Sequence, residues 1–370
     1  MTPLVVHGLR DRPAEVASFL ATGAGRSFAT GEAFERAFEA HGPGWEPRAF
    51  VVREGARLVA ALGGRVERRF GGAWFRSQPF GAPAGPVYDP ALAAAGVDAL
   101  APVATALWGA LGDAARAEGW LGGDITLAGP SASPAGGALL PPSDVGTTRH
   151  DAAHVIDLAG GAAAWRATLD NATRRMLAQA GRRGVTIACS DDADDLAEVY
   201  GLHRVQLRAW GAQDARPLDY FRALLDPPTD ARLWIARRAG TIVCGMIAFV
   251  SPEETYAWWS GASPRARAVR AYPAMLARMI EECGSRRVNL GFSGGQQRLT
   301  TFKEGLGAHP VAIPVVELTP RPRTPWHALL VHLREQRRRG RLAQLALAGN
   351  AGADGVSAAP GTDSDSEEAP

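Results

Sequence analysis

The sequence has few cysteines and no long apolar run. Its three cysteines, Cys189, Cys244 and Cys283, stand far apart and form no C-x-x-C pair. Small secreted domains use even, closely spaced sets of cysteine, so this scarcity favours a reducing compartment, and we expect a cytoplasmic protein. No stretch of about 18 apolar residues occurs, and the opening segment MTPLVVHGLRDRPAEV lacks the basic and apolar regions of a signal peptide. We therefore predict neither export nor a membrane span.

A strong excess of either charge is also lacking. The 40 basic and 38 acidic residues leave a formal net charge of +2. The last ten residues, GTDSDSEEAP, are acidic without a basic residue, so the rest of the chain is more basic than the total and is compatible with an anionic partner. A length of 370 residues predicts about two domains, and a hydrophobic content of 46% is typical of a globular protein.

An internal repeat gives the organisation. Residues 48–62, RAFVVREGARLVAAL, align without a gap on residues 232–246, RLWIARRAGTIVCGM, so that Arg48 pairs with Arg232 and Val59 with Val243. Both copies read as strand, tight turn, strand, which is the pattern of a β-hairpin. A helix and a further strand follow each copy: PVATALWGALGDAARAEGW precedes GDITLAG, and YPAMLARMIEECG precedes RVNLGFSG. The repeat predicts two α+β units.

A helical pattern also precedes each hairpin. In TGEAFERAFEAHG, two phenylalanines stand four residues apart, at positions 34 and 38. In DDLAEVYGLHRVQLRAWG, we expect one apolar face formed by Leu196, Val199, Leu202 and Val205.

Composition marks the boundaries between units. The segment GPSASPAGGALLPPSDVGTTRHD is rich in Gly, Pro and Ser and reads as a linker. We predict an N-terminal domain over residues 1–145 that ends in this linker, and a C-terminal domain over residues 146–320. Beyond TPRPRTPW, residues 321–370 read as a basic helix and a disordered acidic tail. The basic helix could contact RNA or an anionic membrane surface, although a charged, solvated chain end is the commoner case.

The segment NLGFSGGQQRLTTFKEG, at positions 289–305, places three glycines ahead of a lysine. A phosphate-binding P-loop needs the lysine directly after its last glycine, but Gly295 is followed by Gln296. A G-x-S-x-G nucleophile elbow is matched around Ser293 and would need a later histidine and acid. Histidines do follow, at positions 309, 327 and 332, but the strand order of an α/β-hydrolase is not predicted around them. A glycine-rich turn between a strand and a helix is the remaining interpretation.

Lys303 stands inside an apolar pattern. Leu299, Phe302 and Leu306 mark a packed side in LTTFKEGLG, so we expect Lys303 to lie next to a core. An ammonium partly withdrawn from water interacts strongly with a developing negative charge, which makes Lys303 a candidate for stabilising an oxyanion. A lysine that snorkels from a short helix is the alternative.

These segments carry a family resemblance. NLGFSGGQQRLTTFKEGLGAHP resembles the closing segment of FemAB-like proteins, the tandem-GNAT aminoacyl and acyl transferases. Three further segments are similar to the Arg-rich helix, the Pro-Phe-Gly loop and the Gly-Ala-Ser turn of that family: NATRRMLAQAGRRGVTI, FRSQPFGAPAGPVYD and WWSGASPRARAVRAYPAMLARMIEECG. The likeness covers roughly residues 27–318, in order. Asn289 departs from the aspartate that the family often has at this position.

The resemblance implies an α+β fold of two tandem GNAT-like domains, each with a mixed, mostly antiparallel sheet flanked by helices. It implies an acyltransferase that moves an aminoacyl group from aminoacyl-tRNA, or another acyl group, to an amine of a cell-wall precursor or a small metabolite. An acyl-CoA-dependent N-acetyltransferase is the alternative, and a catalytically silent binding module is a third interpretation. The segment PRARAVRAYPAM has no glycine where a CoA-binding loop would have one, which weakens the CoA interpretation. We expect no tightly bound cofactor, no metal site and no DNA partner.

The candidate site residues follow from these patterns and from the resemblance. Lys303, Tyr256 and Ser293 are predicted to be catalytic. The residues predicted to bind substrate or donor are Arg174, Arg175, Trp259, Asn289, Gly291, Gly294, Gly295, Phe80 and Gly81. The arginines suit phosphate oxygens, although a solvated helical face is the alternative. Tyr256, Trp258 and Trp259 share a predicted strand, so their side chains should alternate between faces, and a core position is the other interpretation of Tyr256.

Overall fold

The computed structural model describes residues 3–41, 44–69, 72–78, 82–209 and 216–319, together with isolated positions between 325 and 336. Phe80 and Gly81 lie outside the described residues. The predicted basic helix and acidic tail at residues 321–370 also lie outside them, apart from those isolated positions.

The chain alternates short helices with strands in two similar halves. The first half contains β1 (Leu4–Leu9), α1 (Ala14–Thr22), α2 (Glu32–His41), β2 (Trp45–Glu54), β3 (Arg57–Arg69), β4 (Gly72–Arg76), β5 (Val87–Tyr88), α3 (Pro90–Ala94), α4 (Val97–Glu118), β6 (Gly122–Thr126) and β7 (Gly146–Asp157). Two 3₁₀ turns, Gly129–Ala132 and Pro134–Leu139, connect β6 to β7.

The second half begins with two helices that the first half does not have. It contains α5 (Gly161–Thr168), α6 (Asn171–Arg182), β8 (Val185–Ser190), α7 (Ala193–Ala209), α8 (Leu218–Leu225), β9 (Ala231–Arg238), β10 (Thr241–Val250), β11 (Glu254–Ala262), α9 (Pro264–Ala268), α10 (Ala271–Glu282), β12 (Arg287–Phe292), α11 (Gln297–Gly305) and β13 (His309–Leu318). No helix among the described residues is long and apolar enough to cross a membrane.

The strands form one mixed, mostly antiparallel sheet with an internal symmetry. Its order is β1-β2-β3-β4-β6-β13-β7-β12-β11-β10-β9-β8, and β5 pairs with β3. Each half has one parallel pair, β4 with β6 and β11 with β12. The closing strand of each half is inserted beside the parallel pair of the other half, and these strands, β7 and β13, pair with each other along ten positions. The sheet is continuous across the predicted domain boundary at 145/146. The division of the chain into domains at this position stays a prediction.

The two predicted hairpins share an irregularity. The register of β2 with β3 leaves Val59 unpaired, and the register of β9 with β10 leaves Val243 unpaired. These are the two valines that the ungapped alignment places together. A β-bulge at the same position in both hairpins supports their origin as two copies of one unit.

Of the four apolar clusters among the described residues, three hold the main layers together. One packs α4 on the first half of the sheet, and another packs α10 on the second half. The third joins the halves, because Phe34 and Phe38 of α2 pack with Tyr220 and Phe221 of α8. Burial of such a side chain contributes roughly 1.5–3 kcal/mol, so this aromatic interface fixes the halves relative to each other.

Two local predictions were wrong. The register between β10 and β11 shifts, so that Trp258 has no partner residue on β10. This bulge turns both tryptophans towards Phe221. The distance between ring centroids is 6.2 Å for Trp258 and 4.3 Å for Trp259. Their side chains therefore do not alternate between the two faces of the sheet.

Val205 of α7 is 58% exposed rather than buried with Leu196 and Val199 of that helix. Successive steps of three residues drift around a helix of 3.6 residues per turn, so Val205 no longer lies on the packed face.

Gly261 brings β11 close to α7. A Cβ at this position would lie 2.4 Å from the carbonyl oxygen of Val199 and 2.7 Å from the amide nitrogen of His203. Both atoms belong to the helix backbone, so we expect Gly261→Ala to lower the free energy of unfolding by roughly 1–3 kcal/mol, measured by urea denaturation. The control is Gly201→Ala on α7, where the added methyl group meets no atom within 4 Å and the variant should be as stable as wild type or more so. Equal midpoints for the two variants would contradict the close approach.

Candidate active site

The parallel strands β11 and β12 separate at the centre of the second half. They pair at only three positions, the last being Tyr256 opposite Asn289. Beyond this point β11 continues along β10, while β12 stays on β7 with a register shift between Asn289 and Phe292. In the first half the corresponding opening is closed by the chain itself, because the amide of Ala84 donates to the carbonyl of Thr126 at 2.9 Å beside β4 and β6. Of the two parallel strand pairs, the one that leaves an opening between its strands is therefore β11 with β12.

Asn289 shapes the end of β12. Its Oδ1 accepts a hydrogen bond from the amide of Gly291 at 2.8 Å, and Gly291 has a φ of +69°, a conformation that favours glycine. Asn289 also hydrogen-bonds Glu254, whose carboxylate pairs with Arg287 at 2.7 Å. Burial raises the pKa of Glu254, so a second carboxylate at position 289 would be unfavourable. This explains physically why an amide suits the position.

Lys303 is buried and held by backbone oxygens. It is 5% exposed, and its Nζ donates to the carbonyls of Gly291 and Phe292, each at 2.9 Å. Among the described residues no carboxylate forms an ion pair with it. Desolvation lowers the pKa of Lys303 to about 8. Two of the three ammonium protons are engaged at the end of β12, and no described residue accepts the third.

Composition contains a signal for Lys303 that the motif analysis missed. The chain has 39 arginines and a single lysine, which is Lys303. A compact ammonium whose pKa shifts readily is chemically distinct from a planar guanidinium that is always charged. A chain that otherwise uses arginine for positive charge thus places its one lysine at the opening between β11 and β12.

Ser293 meets a histidine from the other half. Its Oγ lies 3.1 Å from Nδ1 of His154 on β7, and both side chains are buried. Burial, and then the charge of Lys303, lower the pKa of His154, while the carboxylate of Glu304 acts in the opposite direction. The sequence analysis missed His154 because a nucleophile elbow directs attention to later histidines, and this one precedes Ser293 by 139 positions. No local sequence pattern distinguishes His154 from other histidines.

The remaining glycines turn the chain from β12 into α11. Gly294 and Gly295 have φ values of +56° and +77°, and no neighbouring atom would obstruct a Cβ at either position. Backbone conformation therefore accounts for both residues, and a role for their amides in binding stays a prediction.

The two predicted aromatic residues differ in surroundings. Tyr256 is 5% exposed and packs on Phe28 with 4.8 Å between ring centroids, and its hydroxyl makes no hydrogen bond to a described residue. Burial raises the pKa of Tyr256, so its phenol is neutral. Gly291 brings the chain close to this hydroxyl, because a Cβ there would lie 3.4 Å from it. Trp259 instead lies in the apolar cluster between the halves.

The predicted arginines line a shallow surface pocket of about 360 Å³ on α6. Arg174, Arg175 and Arg182 surround it with Asn171, whose side-chain oxygen accepts from Arg174 at 2.9 Å. None of the three forms an ion pair with a carboxylate of a described residue. Arg183 turns away and donates to the carbonyl of Ala268.

The helix that carries this pocket packs on the segment that carries Lys303. Thr173, next to Arg174, donates from Oγ1 to the carbonyl of Gly305 at 3.1 Å. The first turn of α6 therefore rests on the last residue of α11, two positions after Lys303. A ligand held by the arginines would lie one helix away from the buried ammonium.

The segment after β11 lacks the features of a pyrophosphate cradle. Such a cradle uses free amide groups at a helix N-terminus, usually with glycine so that the backbone can approach the phosphates. Here Arg270 occupies the left-handed conformation, with a φ of +58°, directly before α10. The third residue of α10, Pro273, has no amide proton to donate.

Comparison with known proteins identifies the fold. Residues 163–303 match the family model of the acetyltransferase (GNAT) domain. The structure is similar to that of FemX, with a TM-score of 0.61 and 12% identity over 83% of this chain and 96% of FemX. It is also similar to a tandem GNAT protein from the clavulanic acid biosynthesis pathway, with a TM-score of 0.52 and 15% identity over 87% of this chain and all of that one.

A third similar structure is the C-terminal domain of a putative lysylphosphatidylglycerol synthetase from Agrobacterium fabrum, with a TM-score of 0.51 and 14% identity over 82% of this chain and 95% of that one. No curated protein sequence matches the chain significantly. The predicted fold of two tandem GNAT-like units is confirmed.

The single lysine permits a direct test of its environment. In protein labelled only at lysine with ¹³C on the ε carbon, we expect one NMR signal that titrates near pH 8 instead of the ordinary 10.5. The unfolded chain binds more protons than the native state between these values, so the contribution of Lys303 to stability rises with pH across this window, by up to about 3 kcal/mol.

The matching stability measurement compares wild type with Lys303→Met. The difference in free energy of unfolding between them should change between pH 8 and pH 10.5 and be constant below that window. A lysine signal that titrates near 10.5 together with a pH-independent difference would contradict the desolvated ammonium.

Proposed function

We propose that this tandem-GNAT chain, whose residues 163–303 carry a GNAT acetyltransferase domain, transfers an aminoacyl or other acyl group to an amine. The acceptor class that we propose is an amine of a cell-wall precursor or a small metabolite, and the preferred donor is aminoacyl-tRNA. A cytoplasmic location is part of the proposal.

The observation that carries the proposal is the buried ammonium of Lys303. Attack of an amine on an ester or thioester passes through a tetrahedral intermediate with a negative oxygen. The free N–H of Lys303 would stabilise this oxygen from a site of low dielectric, where a charge interacts strongly. The carbonyls of Gly291 and Phe292 orient the ammonium beforehand, so little reorganisation is needed when the charge develops.

The arginine pocket supports a polyanionic donor. Arg174 and Arg182 stand eight residues apart on the helix Asn171–Arg182, a rise of roughly 12 Å at 1.5 Å per residue. The guanidinium groups of Arg174, Arg175 and Arg182 are therefore spread along a line, which suits successive phosphates of an RNA strand better than one pyrophosphate. The acyl end of such an RNA would be directed towards the neighbouring α11.

An acyl-CoA donor is the alternative, and the name of the matching family model, an acetyltransferase domain, favours it. Arg270 and Pro273 at the start of α10 argue against a CoA pyrophosphate there. A module that binds the same ligands without turnover is the third interpretation.

The test of the chemistry is Lys303→Met. We expect it to reduce kcat by about 10²- to 10³-fold, the usual effect of removing one oxyanion donor, while the circular dichroism spectrum is unchanged. Lys303→Arg should not restore activity, because a guanidinium does not fit the position of a compact ammonium. In wild type, kcat should fall as the pH rises above about 8, where Lys303 loses its charge. Full activity of Lys303→Met would remove the residue from the mechanism.

The test of the donor is binding and transfer with bulk aminoacyl-tRNA and with acetyl-CoA in parallel, each with a panel of amines at two salt concentrations. We expect salt-sensitive tRNA binding, and we expect Arg174→Gln with Arg175→Gln to reduce the dependence of log K on log salt by about 1.4. The control pair is Arg116→Gln with Arg222→Gln, which removes the same charge from α4 and α8. CoA binding with acetyl transfer would establish the alternative, and binding of either donor without transfer would establish the silent module.

A further inference from the structure

Ser293 and His154 form a buried pair beside the charged centre to which the reaction above assigns no step. Ser293 follows Phe292, whose carbonyl accepts from Lys303 at 2.9 Å. The hydroxyl and the ammonium are thus anchored on adjacent residues of one turn. Among the described residues, Ser293 Oγ hydrogen-bonds only Nδ1 of His154, and Nε2 of His154 has no partner.

We propose that Ser293 and His154 together accept the proton that the attacking amine releases during acyl transfer. The proposal rests on the proposed function and adds to it a proton acceptor from β7. A neutral imidazole protonated on Nε2 accepts the Ser293 hydroxyl proton at Nδ1, which leaves Oγ free to accept from an amine. A serine hydroxyl between a base and a substrate can pass a proton from one to the other through its oxygen atom, with each transfer over a hydrogen-bond distance.

The charges around His154 determine when it can take up a proton. Two charged groups of α11 face His154, the ammonium of Lys303 and the carboxylate of Glu304. Ser293 faces it from the turn after β12, and the residue opposite it on β13 is Pro310, which has no charge. Burial and the charge of Lys303 hold the pKa of His154 below its ordinary 6.5, so the imidazole is neutral at neutral pH. Once the oxyanion forms against Lys303, that repulsion is offset and proton uptake becomes more favourable.

The proton balance of the step is complete within the site. The amine nitrogen attacks the carbonyl carbon and the π electron pair moves to the oxygen, which makes the attached nitrogen acidic. Its proton passes to Ser293 Oγ while the hydroxyl proton of Ser293 moves to Nδ1 of His154. When the intermediate collapses, the leaving oxygen of a tRNA ester, or the sulfur of a thioester, receives the proton by the reverse path. The acyl group never bonds to Ser293.

The kinetic test uses Ser293→Ala, His154→Asn and the double variant with whichever donor wild type accepts. We expect kcat to fall by about 10²- to 10⁴-fold in each, with KM changed little, and the double variant to be no slower than the singles because the pair acts as a unit. His309→Asn, an exposed histidine of β13, is the matched control and should keep wild-type kcat.

The pH profile separates a proton acceptor from a merely structural contact. Below the pKa of His154, log(kcat/KM) of wild type should rise with a slope of about two, since both the amine and His154 must lose a proton. Over the same pH range, log(kcat/KM) of His154→Asn should rise with a slope of about one. Unchanged kcat and slope in a folded His154→Asn would overturn the inference and leave the proposed function standing. An acyl adduct on Ser293, seen by mass spectrometry with donor alone, would also overturn it in favour of a nucleophilic serine.

A second readout needs no substrate. NMR titration of the His154 imidazole, assigned by its loss in His154→Asn, should give a pKa below 6.5 in wild type and a higher one in Lys303→Met. An unchanged value would remove the coupling to Lys303. If wild type transfers no acyl group from either donor, the proposed function fails and the proton-acceptor role falls with it, whatever the titration shows.

Discussion

The pairing of β7 with β13 is the constraint on which the rest of the molecule depends. Each strand closes one half in sequence but lies beside the parallel pair of the other half, and the two are joined along ten positions. Because the closing strands are exchanged, the site in the second half is built from both halves. His154 reaches Ser293 from β7, and the helix that carries Lys303 ends directly before β13. We infer that neither half alone forms the complete site.

The duplication has become asymmetric around the candidate site. Both halves retain the hairpin, its bulge and a parallel pair, since these features maintain the sheet. Between the parallel pair and the closing strand, the first half has only 3₁₀ turns, whereas the second half has α11 with its buried ammonium. The backbone hydrogen bond from Ala84 to Thr126 also occupies the first opening. The second half therefore holds the buried ammonium of the candidate site, and the first half contributes His154 on its closing strand.

The sequence predicted what is local and missed what depends on register or on distant contacts. The hairpins were predictable because turn residues and alternating apolar residues lie within fifteen positions, and the burial of Lys303 followed from its apolar neighbours. The bulge at Trp258 could not be predicted, since it depends on how β11 pairs with β10. The contact of His154 with Ser293 depends on the strand exchange, which no local pattern reports. The presence of one lysine among 39 arginines was visible in the composition, and it is the strongest indication of the site that the sequence prediction did not use.

The buried ammonium and the neutral imidazole belong to one electrostatic arrangement. With Lys303 charged and no ligand present, a second positive charge on His154 is unfavourable, so of these two groups only Lys303 is charged in the resting site. In the proposed reaction, formation of an oxyanion against Lys303 would remove the reason for that exclusion, and a proton on His154 would then restore the same net charge. An arginine at position 303 would disturb this balance, because its planar guanidinium is larger than the ammonium and always charged. In the mechanism that we propose, the site thus ties proton uptake to the step in which negative charge appears, using one compact cation and one histidine supplied by the opposite half.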